Sequence, residues 1–222
     1  VGRIATLHPT IAANNNAATG ESSASIGGKS NLASGSRTGT FGGVNNTVSG
    51  DDSTTLGGNN QTVIGRESEG LGSTNTTLNT KYTTAVGTAN GSVGLDTSGA
   101  NDPVAKHSVI VGGENNTIEN AQLAVIVGGG GNDILTGHHR SVILGGENIT
   151  TDAIDTAYVQ NLNVKSAVKI PTGAADSYVL TSDASGVGTW QANEKVSSDT
   201  TGEATGSDSV LNMVSLTQAE YD

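Results

Sequence analysis

Short apolar runs closed by glycine recur along the chain at a nearly fixed interval. The glycines are Gly27, Gly42, Gly57, Gly72 and Gly87, each 15 residues after the one before. Gly112, Gly128 and Gly145 follow at steps of 25, 16 and 17, the first being one repeat plus a ten-residue insertion. The residue before the glycine is Ile26, Phe41, Leu56, Leu71, Val86, Val111, Val127 or Leu144, apolar in every case. Three residues after it comes Asn45, Asn60, Asn75, Asn90, Asn115 or Asn148, with Asn132 displaced by one. A second apolar position follows at Leu32, Val48, Val63, Leu78, Val93, Ile118, Ile134 and Ile149, and Gly35, Gly50 and Gly65 mark a second turn. Glycine and asparagine are the residues that tolerate positive φ. Each repeat therefore reads as strand, Gly/Asn turn, short strand, Gly turn. A fixed period of this kind decides the fold, because each unit buries its apolar face only against its neighbours. The prediction is all-β: a parallel β-solenoid of about 15 residues per coil, each coil adding ~4.8 Å along the axis.

Alternation within the strands assigns faces. Val109 and Val111 share one side and Ile110 takes the other; Val125, Ile126 and Val127, and Val142, Ile143 and Leu144, repeat the arrangement. The expectation is that the paired positions line the coil. Ile110, Ile126 and Ile143 then form an outer apolar stripe, preceded at matching positions by Ser25, Thr40, Thr55, Gly70 and Ala85. An exposed stripe marks an interface, and identical chains around a rotation axis are its simplest occupant. These nine residues from Val109 to Leu144 are thus the expected interface and core of a homotrimer.

Composition supports thin coils. The aromatics are only Phe41, Trp190 and tyrosines 82, 158, 178 and 221, too few for a thick core. Glycine supplies 32 of the 222 residues, and regular apolar spacing argues against reading that richness as disorder. The absence of cysteine removes disulfides and thiolate metal sites. A net charge of −11 argues against nucleic acid as a partner. No stretch resembles a signal peptide or a membrane span. The chain begins with Val, as expected of a fragment or a processed protein.

The runs SVIVGGENNTI (108–118), AVIVGGGGNDI (124–134) and SVILGGENI (141–149) resemble the head repeats of trimeric autotransporter adhesins, variants of which occur in bacteriophage tail fibres. The resemblance spans roughly 20–152 and implies a trimeric, left-handed parallel β-roll. YVQNLNV (158–164), IPTGAADSYVLTSDASGVGTWQ (170–191) and VSLTQAEYD (214–222) look like shaft and linker segments of tail fibres. The expected organisation is a connector over 1–19, the solenoid over 20–152, a β-rich shaft over 153–192, and a polar linker opening a distal domain over 193–222. Within the shaft, strand is expected over 153–170, and a hairpin turns at Asp183-Ala184-Ser185-Gly186. Further strand is expected over 210–216, and Thr217 and Glu220 have capping-box spacing.

Candidate chemistry is sparse. Gly128–Leu135 matches one copy of the calcium-binding nonapeptide of toxin-type β-rolls, which would make Asp133 a ligand. Those sites need tandem copies, and this stretch lies in register with the 15-residue repeat. His138 and His139, beside Arg140, would bind metal only if three copies met on an axis; an exposed turn is the plainer reading. His8 and His107 have no partner pattern, and no nucleophile elbow or phosphate loop is present. No cofactor and no enzymatic activity are expected. The leading expectation is a structural module of a phage tail fibre, located in the virion. Its partners would be its own copies, other fibre proteins and a host surface receptor, possibly a polysaccharide. Contact would fall to the 96–106 loop and the 138–140 turn. The alternatives are a trimeric adhesin head on a bacterial surface and, behind it, a polysaccharide depolymerase using carboxylates such as Asp51 and Asp52. Ice binding by a threonine array is set aside here, because the positions read as outward (Ser25 to Ile143) are mixed.

Overall fold

A computed structural model describes residues 15–94, 107–175 and 178–192. Expectations for 1–14, for the 96–106 loop and for 193–222 lie outside the described residues, as do His8, the 210–216 strand and the Thr217/Glu220 cap. The chain divides into two units, 1–163 and 164–222. The first is a β-solenoid of about 9 turns spaced about 15 residues apart.

Two parallel sheets run along it. The triplet sheet stacks Ala24–Ile26, Gly39–Phe41, Thr54–Leu56, Glu69–Leu71, Thr84–Val86, Val109–Val111, Val125–Val127 and Val142–Leu144, and closes with Ala157–Tyr158. The doublet sheet stacks Ala17–Ala18, Leu32–Ala33, Thr47–Val48, Thr62–Val63, Thr77–Leu78, Ser92–Val93, Thr117–Ile118 and Asp133–Ile134. Single bridges from Lys29 through Val44, Asn59, Thr74, Ala89, Glu114 and Gly130 to Glu147 form a third ladder. The pairing runs a few residues past 20–152 at both ends. The ten-residue insertion leaves the register intact, since Ala85 pairs with Ile110 and Val93 with Ile118.

Turn chemistry explains the cadence. All eight repeat glycines have φ between 60° and 72°. The six asparagines three residues on have φ between 49° and 56°. Gly35, Gly50 and Gly65 serve a different purpose from the expected second turn. They do not adopt positive φ, but a Cβ on Gly50 would stand 2.1 Å from the Gly65 carbonyl oxygen of the next coil. The second left-handed position lies two residues later, at Ser22, Arg37, Asp52, Glu67, Tyr82, His107, Leu123, Arg140 and Asp155, with φ between 53° and 59°. Such backbone costs an L-residue about 1–2 kcal/mol. At Arg37, Asp52, Glu67, Tyr82, Arg140 and Asp155 the amide turned outward finds the previous coil: Asp52 N–H donates to Ser36 O at 2.9 Å and Arg140 N–H to Gln122 O at 2.8 Å.

The faces are the reverse of the sequence expectation. Ile110, Ile126 and Ile143 are fully buried within the single chain, whereas Val111, Val127 and Leu144 are exposed and Val109, Val125 and Val142 half-buried. A three-residue strand has one inward position, its centre, and only that residue fits the narrow lumen. The doublet sheet supplies the facing residue: Val48, Val63, Leu78, Val93, Ile118 and Ile134 are all at 0% exposure. Two further positions shift. Ala33, not Leu32, pairs with Val48. Thr151 follows Ile134 in register, because Asp133 bridges Thr150; Ile149 packs at the margin of the core.

Asn132 is the register partner of Asn116, inside the coil, and Gly131 takes the corner asparagine's place. This inner column has its own ladder: Asn46 N–H donates to Asn31 Oδ1, Gln61 N–H to Asn46 Oδ1 and Asn132 N–H to Asn116 Oδ1, each at 3.0 Å. Buried carboxamides thus satisfy backbone groups that no strand reaches.

Core chemistry changes along the axis. The central triplet residue is Ser25, Thr40, Thr55, Gly70 and Ala85 in the early coils and isoleucine thereafter. Thr40 Oγ1 donates to Ser25 Oγ at 2.7 Å, and Gln61 fills the space above Gly70.

In the second unit Tyr178–Ser182 pairs antiparallel with Gly188–Ala192, placing Leu180 opposite Trp190. Asp183 Oδ1 accepts from the amides of Ser185 and Val187 at 2.8 Å, and Gly186 takes φ 83°. Strand over 153–170 is limited to Ala157–Tyr158, and Val159, Leu162, Val168 and Ile170 are exposed.

Ile126→Ala should lower the unfolding free energy by about 2–5 kcal/mol, read by chemical denaturation. Hydrogen exchange should find the amides of 109–144 slower than those of 24–56, because only the later coils bury two isoleucines per turn.

Candidate binding surfaces

Outward positions of the triplet sheet carry the apolar residue that precedes each glycine. Ile26, Phe41, Leu56, Leu71, Val86, Val111, Val127 and Leu144 form one unbroken column, with Leu56 54% and Leu144 50% exposed. Beside it, Ala24, Gly39, Thr54, Glu69 and Thr84 give way to Val109, Val125 and Val142, so the stripe widens toward the later coils. The nine predicted interface and core residues therefore divide. Six face outward and three isoleucines fill the lumen.

Past Ala17 and Leu32, the outer face of the doublet sheet is polar. Thr47, Thr62, Thr77, Ser92 and Thr117 stack in register, and the exposed corner asparagines stand two residues before them. Asn60 Nδ2 donates to Asn75 Oδ1 at 3.1 Å, Asn75 to Asn90 at 3.1 Å and Asn90 to Asn115 at 3.0 Å. The period predicted the asparagines as turns. It did not show this side-chain ladder, which depends on coils being in register.

Asp133 continues the threonine column and is half-buried. Desolvation pushes its carboxyl above the usual range, helped by the charge of Glu119 and partly offset by a hydrogen bond from Thr117. The two histidines turn to separate partners: His138 Nδ1 lies 2.7 Å from Thr151 Oγ1, and His139 Nδ1 accepts from the Gln122 amide at 3.0 Å. Arg140 pairs with Asp155. Among the described residues, no three His, Cys, Asp or Glu side chains converge as a metal site. Gly130 and Gly131 leave a shallow notch of about 560 Å³ between Glu114 and Asn115 on one coil and Glu147 and Asn148 two coils on.

The second left-handed column carries the ion pairs. Hydrogen bonding to Arg37 holds the Asp52 carboxyl below its ordinary range, and Arg140 does the same for Asp155. Their stabilisation is present above the unfolded carboxylate pKa and fades as pH falls through the lowered one. Both pairs are solvent-exposed, so it is small. In the same column the rings of Tyr82 and His107 stack at 4.7 Å, 5° from parallel. Among the described residues, no helix is long and apolar enough to cross a membrane.

Comparison with family models, with curated proteins and with solved structures gives no match. The β-solenoid is therefore the class that the fold defines, and function rests on its surfaces.

Asp133 has a raised folded pKa, so it favours folding only while protonated and loses that contribution as pH rises. Asp133→Thr, which continues the hydroxyl column, should stabilise the chain at pH 7 by on the order of 0.5 kcal/mol. Thermal melts should show the gain shrinking toward pH 4.

Proposed function

We propose that the chain is a non-catalytic structural module of a phage tail fibre, acting as a rigid homotrimeric rod in the virion and helping it reach its host. One observation carries the reading. An apolar column runs along the outside of eight successive coils, exposed at six of them and half-buried at Ile26 and Leu71, on a chain whose lumen is one side chain wide per strand. Soluble monomers rarely expose contiguous apolar surface of this extent. A repeat that offers the same residues at every coil is complementary to copies of itself around a common axis. In this arrangement the outward faces of Val109, Val111, Val125, Val127, Val142 and Leu144 meet at the trimer axis, between rolls of the left-handed type. The resemblance of 108–118, 124–134 and 141–149 to adhesin-head and tail-fibre repeats supports the same reading. Other fibre proteins would extend the rod. A receptor on the host surface would meet its exposed faces in three copies, so weak contacts would add by multivalency.

Light scattering should give a mass near three times 22.1 kDa. A mass of one chain would refute obligate trimerisation. The double variant Leu56→Asp, Val127→Asp places charges on the stripe and leaves the lumen untouched. It should dissociate the trimer while the β signal in circular dichroism persists.

A further inference from the structure

The polar face of the doublet sheet is more regular than folding requires. Both corner columns hold left-handed backbone at nearly the same φ. The second accepts serine, arginine, aspartate, glutamate, tyrosine, histidine and leucine, whereas the first is asparagine in coil after coil from Asn45 to Asn115. Backbone conformation alone therefore does not explain the asparagines. Two residues after each of them stands a hydroxyl: Thr47, Thr62, Thr77, Ser92 and Thr117. No charge enters either rank over these coils, although the chain carries 21 acidic and 10 basic residues. The ranks end where Gly131 and Asp133 replace amide and hydroxyl.

The result is a two-dimensional grid. Successive coils set a spacing of about 4.8 Å along the axis. Amide and hydroxyl ranks stand at most about 7 Å apart on each coil. The side chains are held in place. Each amide from Asn60 to Asn90 donates to the next, and threonine is stiff at χ1. A neutral, ordered grid of donors and acceptors suits a ligand that is itself a lattice of donors and acceptors. A dissolved sugar is ordinarily gripped in a concave site with aromatic walls, and these ranks contain no aromatic residue. Oxygen atoms in hexagonal ice recur on the scale of both spacings. The mixed positions Ser25, Thr40, Thr55, Gly70, Ala85 and Ile110, read from sequence as outward, are turned inward by the fold and do not lie on this face.

We propose that the outer face of the doublet sheet, from Asn45 to Thr117, binds ice. The inference is independent of the oligomeric state and of any role in a virion. The test is partition of the full chain into a slowly growing ice shell, with recrystallisation inhibition as a second readout. Wild type should concentrate in the ice and restrain crystal growth. Thr62→Tyr, Thr77→Tyr keeps strand-forming residues but breaks the hydroxyl rank, and should lose both effects while its melting curve is retained. Glu67→Gln, on the other corner, should behave as wild type. The proposal is overturned if wild type stays in the liquid like an unrelated protein, or if the double variant partitions unchanged. Binding to insoluble cellulose or chitin without ice partition would also overturn it, assigning the face to a glycan instead.

Discussion

In-register hydrogen bonding between consecutive coils is the constraint on which the rest of the molecule depends. The amide of each coil meets a carbonyl of the next at the same position, from Ala17 N–H to Asn31 O at one end to Val142 N–H to Thr156 O at the other. Once the register is fixed, every residue type becomes a column. A property that is weak in one coil then accumulates along the axis: amides become a ladder, hydroxyls a rank, and single exposed leucines and valines a stripe.

The same constraint explains which irregularities are tolerated. The ladders continue on either side of 95–106, where Ala85 pairs with Ile110, and through the enlarged coil carrying His138 and His139, where Ile126 pairs with Ile143. Left-handed arginine or tyrosine is locally unfavourable, yet Arg37, Tyr82 and Arg140 each send their amide to the preceding coil and remain in place. Glycine is demanded where backbones nearly touch, as at Gly20, where a Cβ would stand 1.8 Å from the Gly35 oxygen. Thr80, next in that column after Gly65, is one of four described residues, with Thr55, Gln61 and Asn120, whose buried side-chain oxygen lacks a partner.

Division of labour between the faces follows. The lumen admits one side chain per strand, so the interior is narrow and partly polar, with serine, threonine and asparagine satisfying backbone groups. A column of apolar residues emerges on the triplet sheet, and ranks of uncharged polar residues emerge on the doublet sheet from Asn45 to Thr117. The first surface carries the proposed assembly and the second the proposed contact with an ordered lattice.

Glycine and asparagine at a fixed interval were enough to give the solenoid, its Gly/Asn turn and the hairpin at Asp183–Gly186, because positive φ there is written into residue type; the second left-handed corner, on residues such as Arg37 and Tyr82, carried no such signal. Alternation likewise separated Ile110 from Val109 and Val111. It could not say which side was the lumen, since both sides of those strands are apolar and period two is symmetric between them. Only the closed coil, with room for the central residue alone, turned Ile110, Ile126 and Ile143 inward. Tertiary structure also placed Asn132 beside Asn116 and joined Asn60, Asn75, Asn90 and Asn115 into one ladder. Those contacts link residues 15 or more positions apart and exist only when coil lies on coil.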